Sequence, residues 1–231
     1  MKTIGMIGGM SWESTASYYN ALNTGVKEDL GGLHSAQICM YSVDFAEIER
    51  LQHLGDWAAT AEILIDAAQK VEAGGADFLL ICTNTMHKVA PEVEAAISIP
   101  LLHIADATAE VLVADNVKRV GLLGTKFTME EDFYKGRLTD KYNIEVIVPE
   151  RDDIDIVHRV IYSELCLGKV LDDSRQEYLR IIESLHAKGA EAVILGCTEI
   201  ALLVQQSYSS VPLYDTTEVH ASRAVQLAVA E

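Results

Sequence analysis

Short apolar runs and longer amphipathic stretches alternate along the whole chain. Four apolar runs have the length of a strand, at residues 3–7, 78–82, 120–123 and 192–195. Residues 57–73 and 175–187 instead repeat their apolar positions with the period of an α-helix. Strands that alternate with helices in this way are typical of βαβ units, so the pattern predicts an α/β protein with parallel sheets.

Three segments of the first half of the chain recur in the second half, in the same order. The paired segments are residues 3–9 with 119–125, residues 75–83 with 189–197, and residues 99–102 with 211–214. One such match is weak evidence, because buried strands beside Gly or Pro resemble one another. Three matches with a nearly constant offset indicate an internal structural repeat.

The repeat predicts two similar Rossmann-like domains with parallel sheets, related by a pseudo-twofold axis. We place one domain at residues 1–99 together with 209–231, and the other at residues 100–208. Ligands of open parallel sheets bind beyond the carboxyl ends of the strands. Thr83 and Cys197 end the two copies of one repeat segment. We therefore expect them on the two sides of an active site in the cleft between the domains.

Charge and composition exclude several classes of partner. The net charge is −17 with no local cluster of Lys or Arg, so neither nucleic acid nor an anionic membrane surface is expected to bind. No stretch reaches the length of apolar sequence that a membrane span needs, and the first residues lack the pattern of a signal peptide. We expect a cytoplasmic protein with a small-molecule substrate.

The cysteines and the early glycines do not form a metal or cofactor motif. Cysteines at positions 39, 82, 166 and 197 form no CxxC pair and no zinc-ligand spacing with the histidines. Gly5, Gly8 and Gly9 do not fit a dinucleotide fingerprint. They predict a tight turn after the first strand, with N–H groups near a carboxylate. We expect no metal and no nicotinamide cofactor.

Two motifs place reactive groups directly after a strand, at residues 82–87 and 196–199. Their Thr and Asn side chains could simply cap the following helices. Alternatively, a helix N-terminus lowers the pKa of a thiol and its N–H groups bind a carboxylate. Because the repeat places both motifs at equivalent positions, we favour a catalytic role.

Four segments carry a resemblance to a known family: residues 4–10, Asn84-Thr85-x-His87, residues 164–169 and residues 196–199. With them, the chain resembles over its whole length the cofactor-independent aspartate/glutamate racemases, whose relatives include hydantoin racemase, maleate isomerase and arylmalonate decarboxylase. The resemblance implies an isomerase that needs no pyridoxal phosphate and forms a homodimer. It also implies two cysteines, of which one removes the α-proton and the other returns a proton to the opposite face.

The chain departs from this family at the first cysteine. The position directly before Asn84 is Thr83, and Cys82 lies one residue too early. Neighbouring side chains of a strand point to opposite faces, so we expect Thr83 to face the substrate. Cys197 is then the remaining thiol base. Thr83 is a poor base, and we expect it to give a proton directly or through water.

Further residues are candidates for binding an acidic amino acid such as L-aspartate or L-glutamate. Asn84, Thr85 and Thr198 are expected to donate to its α-carboxylate as enolate charge develops. The resemblance adds Met10, Gln52 and Lys169, although a packing Met, a solvated Gln and an exposed Lys are plain alternatives. Thr125, at the repeat of the first turn, and Glu199 complete the candidate set.

Two other functions remain open. A related enzyme with one thiol could isomerise or decarboxylate a small dicarboxylate, and the Thr83 substitution favours that alternative. A protein of another class could bind an amino acid without turning it over. The thiol at Cys197 counts against a pure binding protein.

Overall fold

The computed structural model describes residues 1–230 of the 231-residue chain. Within this range the chain divides into two compact units. Unit 1 comprises Met1–Ile104 and the segment that begins at His220, and unit 2 comprises Ala105–Val219. Each unit contains one parallel sheet, as the alternation of strands and helices predicts.

The two sheets have related strand orders. The strands of unit 1 are β1 (Ile4–Gly8), β2 (Ile38–Ser42) and β3 (Phe78–Ile81), in the order β2-β1-β3. The strands of unit 2 are β4 (Arg119–Gly124), β5 (Glu145–Ile147), β6 (Ala192–Gly196) and β7 (Leu213–Asp215), in the order β5-β4-β6-β7. A single parallel bridge between Leu79 and Leu101 continues the first sheet beside β3.

The helices in the described part of the chain follow the strands. They are α1 (Trp12–Leu30), α2 (Phe45–Leu54), α3 (Trp57–Ala73), α4 (Ala90–Ala96), α5 (Ile104–Ala114), α6 (Lys126–Glu130), α7 (Asp132–Gly136), α8 (Arg151–Ser163), α9 (Asp172–Ala187), α10 (Ile200–Leu203) and α11 (Thr216–Val229). Single turns of 3₁₀-helix occupy Thr85–Val89, Leu165–Leu167 and Gln206–Tyr208, and Arg137–Lys141 form a π-helical turn. None of the helices within residues 1–230 is long and apolar enough to cross a membrane.

The strands β1, β3 and β6 are buried along their whole length. Parallel strands covered on both faces lack an alternation of polar residues, which explains their nearly continuous apolar sequences. Side chains of β3 alternate between two hydrophobic clusters. Leu79 and Ile81 pack in one cluster, whereas Phe78, Leu80 and Cys82 pack in the other.

The internal repeat corresponds to equivalent strands. The first repeat segment contains β1 and β4, each of which pairs with two neighbours in its sheet. The second segment contains β3 and β6. The third contains Leu101, which lies beside β3, and β7, which lies beside β6. The prediction of two similar α/β units is confirmed at the level of topology.

The unit boundaries differ from those expected, 99/100 and 208/209. Leu79 N–H donates to the Pro100 carbonyl and Leu102 N–H donates to the Leu79 carbonyl, so residues 100–104 belong to unit 1. Strand β7 pairs with β6, so residues 209–219 belong to unit 2. Hydrogen bonds between segments far apart in sequence therefore place both boundaries later than the sequence repeat suggests.

Candidate active site

The end of β3 separates Cys82 from Thr83. Cys82 is fully buried with the side chains of Phe78 and Leu80, whereas Thr83 is partly exposed. The main chain is held by two hydrogen bonds, from Cys82 N–H to the Ile7 carbonyl (3.0 Å) and from Thr83 N–H to the Ile81 carbonyl (2.9 Å). The strand ends at Ile81 and the chain turns at Cys82, and after this turn Thr83, rather than Cys82, is the more exposed of the two side chains.

Two side chains form hydrogen bonds with the backbone carbonyls of Cys82 and Thr83. The hydroxyl of Ser14, in the first turn of α1, donates to the Cys82 carbonyl at 3.2 Å. The Nδ1 atom of His87 lies 2.8 Å from the Thr83 carbonyl. Because the N–H of Ile104 donates to Nε2 of His87 at 3.2 Å, the proton of the neutral ring is on Nδ1 and is donated to Thr83.

His87 belongs to a cluster of buried rings that sequence reasoning did not identify. Its ring centroid lies 4.4 Å from that of His103 and 6.1 Å from that of His220. His220 donates from Nε2 to the Leu102 carbonyl and accepts from the Tyr18 hydroxyl at Nδ1, each at 2.8 Å. Burial lowers the pKa of His220 to about 4. Burial, together with the other two histidines, also holds the pKa of His87 well below its usual value.

Asn84 and Thr85 follow Thr83 and are both almost fully buried. The motif was expected to begin an α-helix. Instead, Thr85–Val89 form a 3₁₀ turn, and α4 begins only at Ala90. A 3₁₀-helix of five residues aligns few peptide dipoles, so the helix-terminus effect expected at this motif is reduced.

Cys197, Thr198 and Glu199 follow β6 in unit 2. Cys197 and Thr198 are partly exposed, and Glu199 is buried. The thiol of Cys197 donates to Oε2 of Glu199 at 3.0 Å, and the hydroxyl of Thr198 donates to the same oxygen at 2.8 Å. Oε2 of the buried Glu199 carboxylate thus accepts hydrogen bonds from both Cys197 and Thr198. Glu199, predicted as a substrate contact, is bonded to the candidate base.

The expected lowering of the Cys197 pKa is wrong. Burial raises the pKa of this thiol well above its usual value, and the negative charge of Glu199 and the nearby Cys166 raise it further. The helix that follows, α10, has only four residues and begins at Ile200. Its dipole is too short to offset desolvation of a thiolate beside a carboxylate. Cys197 is therefore protonated at rest.

The glycine-rich turn predicted after β1 is present, and the N–H of Gly9 bonds within it. Gly9 has a φ of 94°, and a Cβ atom there would clash with the Val43 carbonyl oxygen. The Gly9 N–H donates to the Thr15 hydroxyl at 2.8 Å, and Ser11 caps α1. The Gly9 donor therefore closes the turn rather than facing a ligand.

Met10 and Gln52, predicted as substrate contacts, are both 3% exposed. Met10 packs in the cluster that contains Ile7. Gln52 lies in α2, a helix that Asp44 caps and that continues to Leu54. Its amide nitrogen is 2.9 Å from the sulfur of Met86. In the structure of unit 1, both side chains have packing roles.

Thr125 and Lys169 lie in different settings within unit 2. Thr125 is buried and caps α6, since its Oγ1 accepts from the Thr128 N–H at 3.3 Å. Lys169 is exposed after Gly168, whose φ of 69° ends the Leu165–Leu167 turn. Thr125 therefore caps α6, and of these two residues Lys169 is the one accessible to solvent.

The missed residues are Ser14, Tyr18, His103 and His220. Tyr18 and His220 contact each other across most of the chain length, so no local pattern signals their pairing. Ser14 lies three residues after the Ser11 cap, a position that a capping pattern explains fully. As for metals, residues 1–230 contain no group of three or more His, Cys, Asp or Glu side chains that could hold an ion.

Known proteins of one family are similar to this chain over nearly its whole length. Residues 7–224 match the family described as Asp/Glu/Hydantoin racemase. A Yersinia pestis protein with a provisional Asp/Glu racemase assignment is 54% identical, with a TM-score of 0.93 over 100% of both chains. An aspartate racemase homologue from Pyrococcus horikoshii is 35% identical, with a TM-score of 0.86 and the same complete coverage.

A more distant relative has an assigned activity. The broad specificity amino-acid racemase of Bacillus subtilis is 25% identical over 162 residues, which cover 70% of this chain and 69% of that protein. The family match covers nearly all the described residues, including both motifs. The chain therefore belongs to the Asp/Glu/hydantoin racemase family, and it is an isomerase of the amino-acid racemase class.

Proposed function

We propose that this racemase acts on acidic amino acids, L-aspartate and L-glutamate, without a cofactor. Cys197 removes and returns the α-proton on one face of the α-carbon, and Thr83 serves the other face. The observation that carries the proposal is the Cys197 thiol, hydrogen-bonded to Glu199 at the carboxyl end of β6. Similarity over the full length to an aspartate racemase homologue supports an acidic substrate.

Removing an α-proton creates negative charge that moves onto the α-carboxylate. An enzyme without pyridoxal phosphate must stabilise this enolate with hydrogen-bond donors. Asn84, Thr85 and Thr198 carry such donors next to the two proposed proton-transfer residues. We propose that they bind the α-carboxylate and that Lys169, which is exposed, attracts the distal carboxylate.

Cys197 needs a proton acceptor before it can act as a base, because its pKa is raised. The thiol already donates to Oε2 of Glu199. Transfer of the thiol proton to Glu199 leaves a thiolate and a neutral carboxyl group. The thiolate then takes the α-proton and becomes a thiol again, while Glu199 holds the first proton. If Cys197 returns a proton to the same face, the thiolate that results takes the proton back from Glu199. Glu199 is thus the partner of Cys197 rather than a substrate ligand.

Thr83 cannot replace a cysteine as a base, since an alcohol does not ionise appreciably near neutral pH. It can donate a proton to the carbanion, directly or through a water molecule, and the alkoxide or hydroxide left behind is reprotonated from solvent while Glu199 releases its extra proton to solvent. The thiol hydrogen of Cys197, which is partly exposed, exchanges with solvent, and its return to the carbanion then competes with slower delivery by Thr83. For an L-substrate, the α-hydrogen should exchange with solvent faster than the configuration inverts.

A test uses the purified protein with no cofactor added. Chiral analysis of L-aspartate, L-glutamate and a panel of larger amino acids in deuterated water measures inversion and α-deuteration together. We expect both reactions for the acidic substrates, with deuteration the faster. Inversion of larger amino acids only would contradict the acidic specificity, and binding without deuteration would contradict proton transfer. Turnover of a small dicarboxylate with no amino-acid deuteration would favour the one-thiol alternative.

A further inference from the structure

Thr83 lies between two peptide planes that side chains hold in place. The Ser14 hydroxyl bonds the carbonyl of the preceding peptide, and His87 Nδ1 bonds the carbonyl of the following one. Because peptide groups are planar, fixing both planes fixes the two backbone dihedrals of Thr83 between them. The direction of its Cα–Cβ bond follows from these dihedrals, and the hydroxyl is thereby limited to the few positions that the staggered χ1 rotamers allow.

His87 is itself held on several sides. Its Nε2 accepts from the Ile104 N–H at 3.2 Å, and its ring contacts His103 and His220. The side chain is only 1% exposed. A neutral ring whose other nitrogen accepts from the main chain has only its Nδ1 proton to donate. That proton is directed at the Thr83 carbonyl.

We propose that His87 is a positioning residue that orients Thr83 for proton delivery, acting through the Thr83 carbonyl and not on the substrate. The inference rests on the proposed function. A hydroxyl that gives a proton to one face of a carbanion must be placed accurately, since an error of about 1 Å costs up to about a hundredfold in rate. Ser14 assists from the preceding carbonyl. Neither residue is near Cys197 in sequence or belongs to its unit.

Two substitutions of His87 separate its two hydrogen bonds. The amide nitrogen of Asn at this position takes the place of Nδ1, so His87→Asn retains a donor for Thr83. The amide of Gln takes the place of Nε2, so His87→Gln retains an acceptor for Ile104 and removes the donor for Thr83. Both variants replace a buried ring by a polar amide. A purely structural role predicts similar losses in the two variants.

The readout is the ratio of α-deuteration to inversion for L-aspartate in deuterated water. Deuteration proceeds through Cys197 and does not need Thr83, whereas inversion does. We expect His87→Gln to raise this ratio by roughly 10- to 100-fold, mainly through slower inversion. His87→Asn should keep the ratio within a few-fold of the unchanged protein. Ser14→Ala, which removes only the assisting bond, should raise the ratio by a smaller factor.

Three outcomes decide the inference. Equal ratios in His87→Asn and His87→Gln would overturn it, even if both variants are slower. If the His87 variants do not fold, Ser14→Ala decides the inference. An unchanged ratio would show that the bonds to the Cys82 and Thr83 carbonyls do not orient the Thr83 hydroxyl, and a raised ratio would support the inference. Absence of deuteration and inversion in the unchanged protein would overturn the proposed function, and this inference with it.

Discussion

The thiol of Cys197 and the carboxylate of Glu199 are joined by a hydrogen bond of 3.0 Å between Sγ and Oε2. This contact has two opposite effects on catalysis. The negative charge of Glu199 contributes to the raised pKa of the thiol, so it disfavours the thiolate at rest. The same carboxylate is an acceptor within reach of the thiol proton, so it supplies a route to the thiolate during turnover.

Glu199→Gln should separate these two effects. Loss of the charge lowers the pKa of Cys197, so we expect iodoacetamide to alkylate Cys197 faster at neutral pH. The rate should rise on the order of tenfold for each unit by which the pKa falls. Inversion should nevertheless slow by roughly 10²- to 10⁴-fold, because the proton acceptor is lost. Mass spectrometry of the Cys197 peptide, normalised to Cys39, measures the alkylation. Thr198→Val, which keeps the charge, serves as the control. Slower alkylation in Glu199→Gln would contradict the electrostatic argument.

Cys197→Ser and Cys82→Ala should have opposite phenotypes. Serine conserves the size of the side chain, so Cys197→Ser should keep its free energy of unfolding within about 1 kcal/mol while α-deuteration falls by roughly 10²- to 10⁴-fold. Cys82 is fully buried, so Cys82→Ala should lose about 1 to 2 kcal/mol of unfolding free energy with activity largely kept. Urea unfolding and the deuteration assay measure both properties. A folded but inactive Cys82→Ala protein would mean that Cys82, and not Thr83, is the catalytic residue after β3.

Thr83→Cys should make the two faces of the reaction more alike. A second thiol is a better acid and a better base than an alcohol, so inversion of L-aspartate should rise relative to deuteration by on the order of tenfold or more. Deuteration of D-aspartate should rise as well. Thr83→Ser retains a hydroxyl and should leave the ratio nearly unchanged. If the cysteine and serine variants have the same ratio, the single-thiol asymmetry has no mechanistic consequence.

Buried neutral histidines should make the fold sensitive to mild acid. The folded pKa of His220 is lowered from 6.5 to about 4 by burial. Between these values the unfolded chain binds a proton that the folded chain does not, so stability falls as the pH drops from 6.5 to 4, by about 3 kcal/mol for this group. His87 acts in the same direction.

Urea unfolding over this pH range measures the effect. His220→Gln retains a donor for the Leu102 carbonyl and does not titrate, so its stability should depend less steeply on pH. The difference in slope should approach about 1.4 kcal/mol per pH unit. Identical slopes would mean that His220 is protonated in the folded protein or remains unprotonated in the unfolded chain.

The sequence by itself determined the fold class, because the spacing of apolar residues and the internal repeat can be identified without knowing which residues are in contact. Buried parallel strands must be apolar throughout, and this is how β1, β3 and β6 were identified. The alternation of side chains along a strand also predicted that Thr83 and Cys82 face different surroundings, although in the structure a turn after Ile81 produces this difference. The glycines after β1 indicated the tight turn because glycine adopts backbone conformations that other residues avoid.

Tertiary structure alone decided the ionisation and the surroundings of the candidate residues. The pKa of Cys197 depends on desolvation and on the direction of the Glu199 side chain, and neither is encoded by the spacing of the motif. The contact between Tyr18 and His220, and the bond from His87 to Thr83, require packing of helices and loops that lie on different parts of the chain. Burial and long-range hydrogen bonds are properties of the folded chain, so they could be read only from the structure.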